Sequence, residues 1–193
     1  MILEREKVIW IGNPRSGSTS LLRTFSCDDY HHDPMQYYCD IKKDKIHRYK
    51  CYMVVRNPWD RMVSWWHQHT KKSGHWMCQY KTFSEWILSG DYERWTTHPR
   101  GSDPRLETKW YWENHSPLIQ KNFIKNDLGV KVNLIKLENL KSEFRLIHPE
   151  RNLRHENTSG AKKGHYRTYY TEEALQVINK FLEEDIELLD YTY

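Results

Sequence analysis

Short apolar runs alternate with polar stretches along this chain. Val8-Ile9-Trp10-Ile11 is the first, and Gly12-Asn13-Pro14 ends it. Four consecutive apolar residues stopped by a turn signal predict a buried strand. Leu21, Leu22 and Phe25 then recur at helical spacing, which predicts a helix over Ser16 to Phe25. Cys51 to Val55 predicts a second buried strand, stopped at Arg56-Asn57-Pro58. Pro58 suits the first turn of a helix, where its missing N–H costs nothing. That helix runs to about His69, with Met62, Val63 and Trp66 on its apolar face. Val130 to Leu137 predicts a third strand. Thr171 to Asp190 predicts one long helix. Thr171 caps it, Glu172 and Glu173 favour its positive end, and Leu175, Ile178, Leu182, Ile186 and Leu189 form one stripe. The polar segment from about 70 to 115 predicts short helices around Phe83 to Leu88 and Leu106 to Trp112, joined by long loops. Strands separated by helices predict an α/β fold with a mostly parallel sheet.

At 193 residues the natural count is one domain, long enough to bury a core without disulfide or metal staples. Nine Trp, thirteen Tyr and five Phe exclude disorder as the main state. No apolar run approaches the roughly 20 residues of a membrane span. The aromatic excess points to a binding surface, because it exceeds what a core of this size needs. A net charge of +4 suits an anionic ligand better than a general grip on duplex nucleic acid. Cysteines 27, 39, 51 and 78 form no CxxC pair and suggest reduced thiols. The charged start leads straight into a strand with no signal-peptide core, so a cytoplasmic location is expected. The triplets at Asn114 and Asn157 are then chance glycosylation signals.

Gly12-Asn13-Pro14-Arg15-Ser16-Gly17-Ser18-Thr19 has the GxxxxG spacing of a phosphate loop, between a predicted strand and a predicted helix. Such a loop turns several N–H groups toward one point, where phosphate or sulfate oxygens fit. Ser18 stands where a nucleoside-triphosphatase carries Lys, and the second strand ends in Arg56 rather than in a magnesium-holding Asp. A cation there implies a second anion instead of a metal. Two anion sites on two strand ends suit a nucleotide with phosphates at both its 5′ and 3′ positions.

These residues resemble the sulfotransferases. Pro14 to Ser20 is similar to their 5′-phosphosulfate loop. Arg56-Asn57-Pro58-Trp59-Asp60-Arg61-Met62-Val63-Ser64 is similar to their 3′-phosphate motif, an Arg and a Ser eight residues apart. Val132 to Phe144, with Leu137-Glu138-Asn139-Leu140, resembles a strand and turn of the carbohydrate sulfotransferases, and Tyr166 through Tyr191 resembles their C-terminal helix. Arg15 departs from the family, which usually has Lys there. Arg keeps the charge and can bridge two oxygens. The lack of a membrane anchor differs from the Golgi-type relatives and suggests a bacterial or viral setting.

The resemblance implies sulfuryl transfer from 3′-phosphoadenosine 5′-phosphosulfate (PAPS) to a hydroxyl or amine, with no metal required. It assigns Arg15, Ser16, Gly17, Ser18, Thr19 and Ser20 to the phosphosulfate, and Arg56 and Ser64 to the 3′-phosphate. Lys163, in Lys162-Lys163-Gly164, resembles a basic segment that also touches that phosphate. Arg15 and Thr19 would stabilise charge on the leaving oxygen. Arg61 is expected to pair with an acid and brace its helix. His32, in Tyr30-His31-His32-Asp33-Pro34, is the chosen base, since an imidazole titrates near neutrality. His31, His47, Glu107 and Glu113 are the alternatives. Segments 7–70 and 130–191 would build the donor site, and about 70–120 the acceptor side. There Trp65, Trp76, Trp95, Trp110 and Trp112 are candidates to stack on a glycan, and Trp66 and Trp86 are expected to be core. A zinc site on His67, His69, His75 and Cys78 is disfavoured, because i, i+2 residues point to different faces of a helix. Two other readings stay open. One is a P-loop kinase or phosphotransferase, and the other a single-stranded nucleic-acid binder that works by stacking and charge.

Overall fold

The computed structural model describes residues 1–27, 32–71, 74–96, 109–154 and 165–193. Its strands are β1 (Ile2–Leu3), β2 (Val8–Ile11), β3 (Lys50–Val55) and β4 (Val132–Lys136). Its α-helices are α1 (Ser18–Thr24), α2 (Met35–Lys42), α3 (Pro58–Thr70), α4 (Phe83–Leu88), α5 (Lys109–Trp112), α6 (Leu140–Ile147), α7 (Glu172–Phe181) and α8 (Glu183–Leu189). The strands form one sheet in the order β1-β2-β3-β4. β1 runs antiparallel to β2, and β2, β3 and β4 are parallel, with Ile9 opposite Cys51 and Val54 opposite Ile135. Because β2 and β3 are parallel neighbours, the loops after Ile11 and Val55 leave the same end of the sheet. That end is where ligands collect in open α/β sheets.

Alternation along the strands divides the core between the two sheet faces. Ile9, Ile11, Cys51, Met53 and Val55 pack with Met35, Tyr38 and Cys39 of α2 and with Trp112 and Phe123. Val8, Trp10 and Val54 pack on the other face with Leu21, Leu140 and Phe144. A third cluster joins α3, α4 and α7 through Trp59, Met62, Trp66, Phe83, Trp86, Ile178 and Leu182. All four cysteines are thiols. Burial pushes those of Cys39 and Cys51 up to about 11.

Trp66 and Trp86 are core, as their spacing predicted. Trp65 and Trp112 are buried as well, so the aromatic excess serves the core more than the composition suggested. Trp76 is half-buried, and the side chains of Trp95 and Trp110 lie outside the described part. The expected long C-terminal helix is two helices. α7 ends at Leu182 (φ −93°, ψ 7°), and α8 begins immediately after it. The apolar stripe runs through this break, which is why periodicity alone does not show it. Three residues past the break, Asp185 is fully buried and accepts the main-chain N–H groups of Gln120 (2.7 Å) and Lys121 (2.8 Å). No helix among the described residues is long and apolar enough to cross a membrane.

Candidate active site

β2 delivers the glycine loop, and the loop is bent by two left-handed residues, Arg15 (φ 66°) and Gly17 (φ 78°). Gly17 immediately precedes α1 and lies against the turn after β4. A Cβ built on it would come within 2.9 Å of Leu137 Cδ1. A non-glycine residue such as Arg15 in this conformation is uncommon and typical of functional loops. Ser16 and Ser20 are buried, whereas Ser18 and Thr19 are half-buried. Ser16 Oγ accepts from Asn13 Nδ2 at 3.0 Å, so part of the loop's polarity is used to hold its own shape.

β3 delivers Arg56, and α3 starts at once because Pro58 occupies its first turn and Asn57 Oδ1 accepts from Asp60 N (3.1 Å). That start puts Ser64, His67 and Gln68 on one helix face, at i, i+3 and i+4. Arg15 lies across this face. Its Nε donates to Ser64 Oγ at 3.0 Å and its Nη1 to Gln68 Oε1 at 3.2 Å. Arg56 Nη1 donates to the Arg15 carbonyl at 3.1 Å, and Arg56 Nε to Asp60 Oδ2 at 2.8 Å. The two sequence motifs therefore converge on one cluster of Arg15, Arg56 and Ser64. Burial, and then the Arg56 guanidinium beside it, lowers the pKa of Arg15. Two guanidinium groups are thus held together in partial burial, one of them paired with Asp60.

His32 lies at the start of the glycine loop. Its Nδ1 lies 2.6 Å from the carbonyl of Gly12, at the foot of the glycine loop. A carbonyl only accepts, so Nδ1 carries the proton in this contact. His47 is exposed in the turn Lys43–Arg48 that leads into β3, at the opposite end of the sheet. With about 3.3 Å per residue, β3 separates it from Arg56 by roughly 20 Å. Glu113 is exposed. His31, Glu107 and Lys163 lie outside the described residues.

Several residues here escape sequence reasoning. Gln120 and Asn13 are buried amides bonded to each other, Asn13 Nδ2 to Gln120 Oε1 at 2.8 Å. Arg61 does not simply pair with an acid. It is buried and donates to the carbonyls of Pro14 (2.9 Å), Leu118 (2.6 Å) and Pro117 (2.8 Å), with Asp185 as its nearby counter-charge. Burial lowers it to about 10. On the rim His67 Nε2 meets Tyr169 Oη at 2.8 Å, and burial together with Lys71, His165 and Arg15 keeps that imidazole below its ordinary range. Amides at loop ends carry no sequence signature. The i+3 relation of His67 to Ser64 is the one sequence signal that could have pointed there.

At the opposite end of the sheet, Glu6, His148 and Glu150 bring ligand atoms within 4.8 Å of one another. Trp10 Nε1 donates to His148 Nε2 (3.3 Å), and His148 Nδ1 faces Glu6 (2.9 Å). The proton therefore sits on Nδ1, and this imidazole does not offer that nitrogen to a metal. The pair His69 Nδ1 and His75 Nε2, 3.2 Å apart, is a hydrogen bond.

A bent anion loop after one strand, with an arginine at the end of its parallel neighbour, defines an α/β protein of the P-loop type. A family model described as the sulfotransferase family matches residues 1–192, and the chain belongs to that family of sulfate-transferring enzymes. A search of curated proteins and a search of solved structures each returned no match.

Proposed function

We propose that the protein transfers the sulfuryl group of PAPS to a hydroxyl of a glycan. The carrying observation is the convergence of Arg15, Arg56 and Ser64, which joins a 5′ and a 3′ anion motif in one cluster. In this reading Arg15, Ser16, Gly17, Ser18, Thr19 and Ser20 hold the phosphosulfate, and Arg56 and Ser64 hold the 3′-phosphate. Lys163 adds a further cation to that phosphate. His32 Nε2 takes the proton of the acceptor hydroxyl as its oxygen bonds to sulfur. The bond from sulfur to the bridging oxygen breaks, and the pair of electrons stays on the 5′-phosphate. Arg15 and Thr19 stabilise the charge that develops there, and in-line positioning supplies much of the rate.

The acceptor side is the segment from about 70 to 120, where half-buried Trp76, edge-on to Tyr80 (6.4 Å), is the candidate to stack on a sugar. Thermal denaturation with adenosine 3′,5′-bisphosphate, with ATP and magnesium, and with an oligonucleotide tests the donor reading, because a ligand of the folded state raises its stability. A rise with the bisphosphate alone is expected. A rise with ATP and magnesium alone would move the protein to the phosphotransferases, and a salt-sensitive rise with the oligonucleotide alone to nucleic-acid binding.

A further inference from the structure

We infer that Gln120 is a positioning residue that sets the spacing between the two anion loops, and so makes the site select a nucleotide phosphorylated at both ends. This inference rests on the donor reading above. Gln120 is fully buried, in a single turn over Gln120–Phe123. Its Oε1 accepts from Arg56 N at 3.0 Å, and its Nε2 donates to Arg56 O at 2.8 Å. These are the two bonds a neighbouring strand would make. Arg56 is one residue beyond the end of β3, so the amide extends the ladder by one position and fixes the peptide that carries the guanidinium.

The same Oε1 accepts from Asn13 Nδ2 at 2.8 Å, and that nitrogen also reaches Ser16 Oγ (3.0 Å) and Val54 O (2.9 Å). One oxygen thus ties the glycine loop to the start of the 3′ motif. Gln120 is itself anchored, since its N–H donates to the buried Asp185 carboxylate at 2.7 Å. Arg61 repeats the brace nearby by joining Pro14 to Pro117 and Leu118.

The selectivity follows from bivalence. A 5′-monophosphate engages one loop and is indifferent to where the other lies. A bisphosphate engages both, and its second contact depends on their separation. Loosening the spacing therefore weakens the bisphosphate and leaves the monophosphate nearly unchanged.

The test is calorimetric titration of the full chain with adenosine 3′,5′-bisphosphate and with 5′-AMP. Gln120→Met keeps the length without the amide, and Gln120→Glu keeps one acceptor and removes the donor to Arg56 O. Both should bind the bisphosphate about tenfold more weakly or worse, with 5′-AMP changed less than about threefold. In an Arg56→Ala background Gln120→Met should add nothing further. Equal losses for both nucleotides, or full additivity with Arg56→Ala, would overturn the inference. If Gln120→Met fails to fold, Gln120→Glu and Asn13→Ser carry the same comparison. A wild-type protein that ignores the bisphosphate would reject the donor reading itself, a result distinct from a wild-type that binds it and variants that do not care.

Discussion

The guanidinium of Arg56 donates to the main-chain oxygen of Arg15 at 3.1 Å. The cation of one motif thus braces the backbone of the other, at a residue held in the left-handed region. Arg56 uses its Nε on Asp60 at the same time, so its fork is oriented from two sides. A group fixed this firmly meets an anion with little ordering left to do.

Arg56→Ala should weaken adenosine 3′,5′-bisphosphate by roughly 10- to 100-fold, in line with the loss of one or two charge-assisted hydrogen bonds. Arg56→Lys should recover only part of this, because an ammonium cannot reach Asp60, the Arg15 carbonyl and a phosphate with one planar fork. Calorimetric titration reads both, and an unchanged affinity in Arg56→Ala would remove this residue from the donor site.

His32→Ala should lower kcat by about 10²- to 10⁴-fold, the usual contribution of a positioned base. Bisphosphate affinity should stay within about threefold of wild type, since the imidazole faces Gly12 and not the arginine pair. Sulfuryl transfer from labelled PAPS to a glycan panel measures the rate. Wild-type turnover in the variant would show that another group takes the proton.

Gly17→Ala should lower the melting temperature. The left-handed conformation at φ 78° alone costs about 1–2 kcal/mol for a residue with a Cβ. The new methyl would also press on Leu137 Cδ1 at 2.9 Å and Leu140 Cδ2 at 3.3 Å. Adding Leu137→Ala removes the first contact, so the double variant should melt higher than the sum of the two single losses allows.

Stability should fall in mild acid, and His148 should account for part of the fall. Burial holds its imidazole below the ordinary range, against the opposing pull of Glu6 and Glu150. The folded protein thus resists a proton that the unfolded chain accepts. The stabilisation is complete above the unfolded value of about 6.5 and is lost as the pH falls through the lower folded value. Protonation would also set an Nε2–H against the Trp10 N–H that now donates to that nitrogen. Urea melts from pH 7.5 down to 5 should be steeper in pH for wild type than for His148→Gln. Equal slopes would refute this account.

The three parallel strands and α3 were legible because β2 and β3 are apolar runs with hard stops, at Gly12 and at Asn57-Pro58, whereas the two-residue edge strand β1 was not. Arg15 and Arg56 were legible because charged residues in a glycine loop and at a strand end have few structural uses, and Ser64 through the resemblance of its segment to a 3′-phosphate motif. α2 and the break at Leu182 were not. The face of α2 is built from Met35, Tyr38 and Cys39, an unremarkable set in one dimension. At Leu182 the apolar stripe continues although the backbone leaves the helical geometry. Trp65 and Trp112 misled for a related reason. Composition counts rings but not the surface they lie against, and both are buried.

The buried latch on Gln120 also bears on the order in which the chain folds. Both anion loops lie within the first 64 residues, yet Asn13 waits for a partner 107 positions later, and that partner is held by Asp185, another 65 positions on. Contacts of such sequence separation form slowly, because long loops must close before they reward the chain. A nascent chain emerging at roughly 5–20 residues per second thus carries both motifs for several seconds before it can set them. The Arg15–Arg56 cluster is expected to be among the last parts of the molecule to form and, on unfolding, among the first to lose its shape.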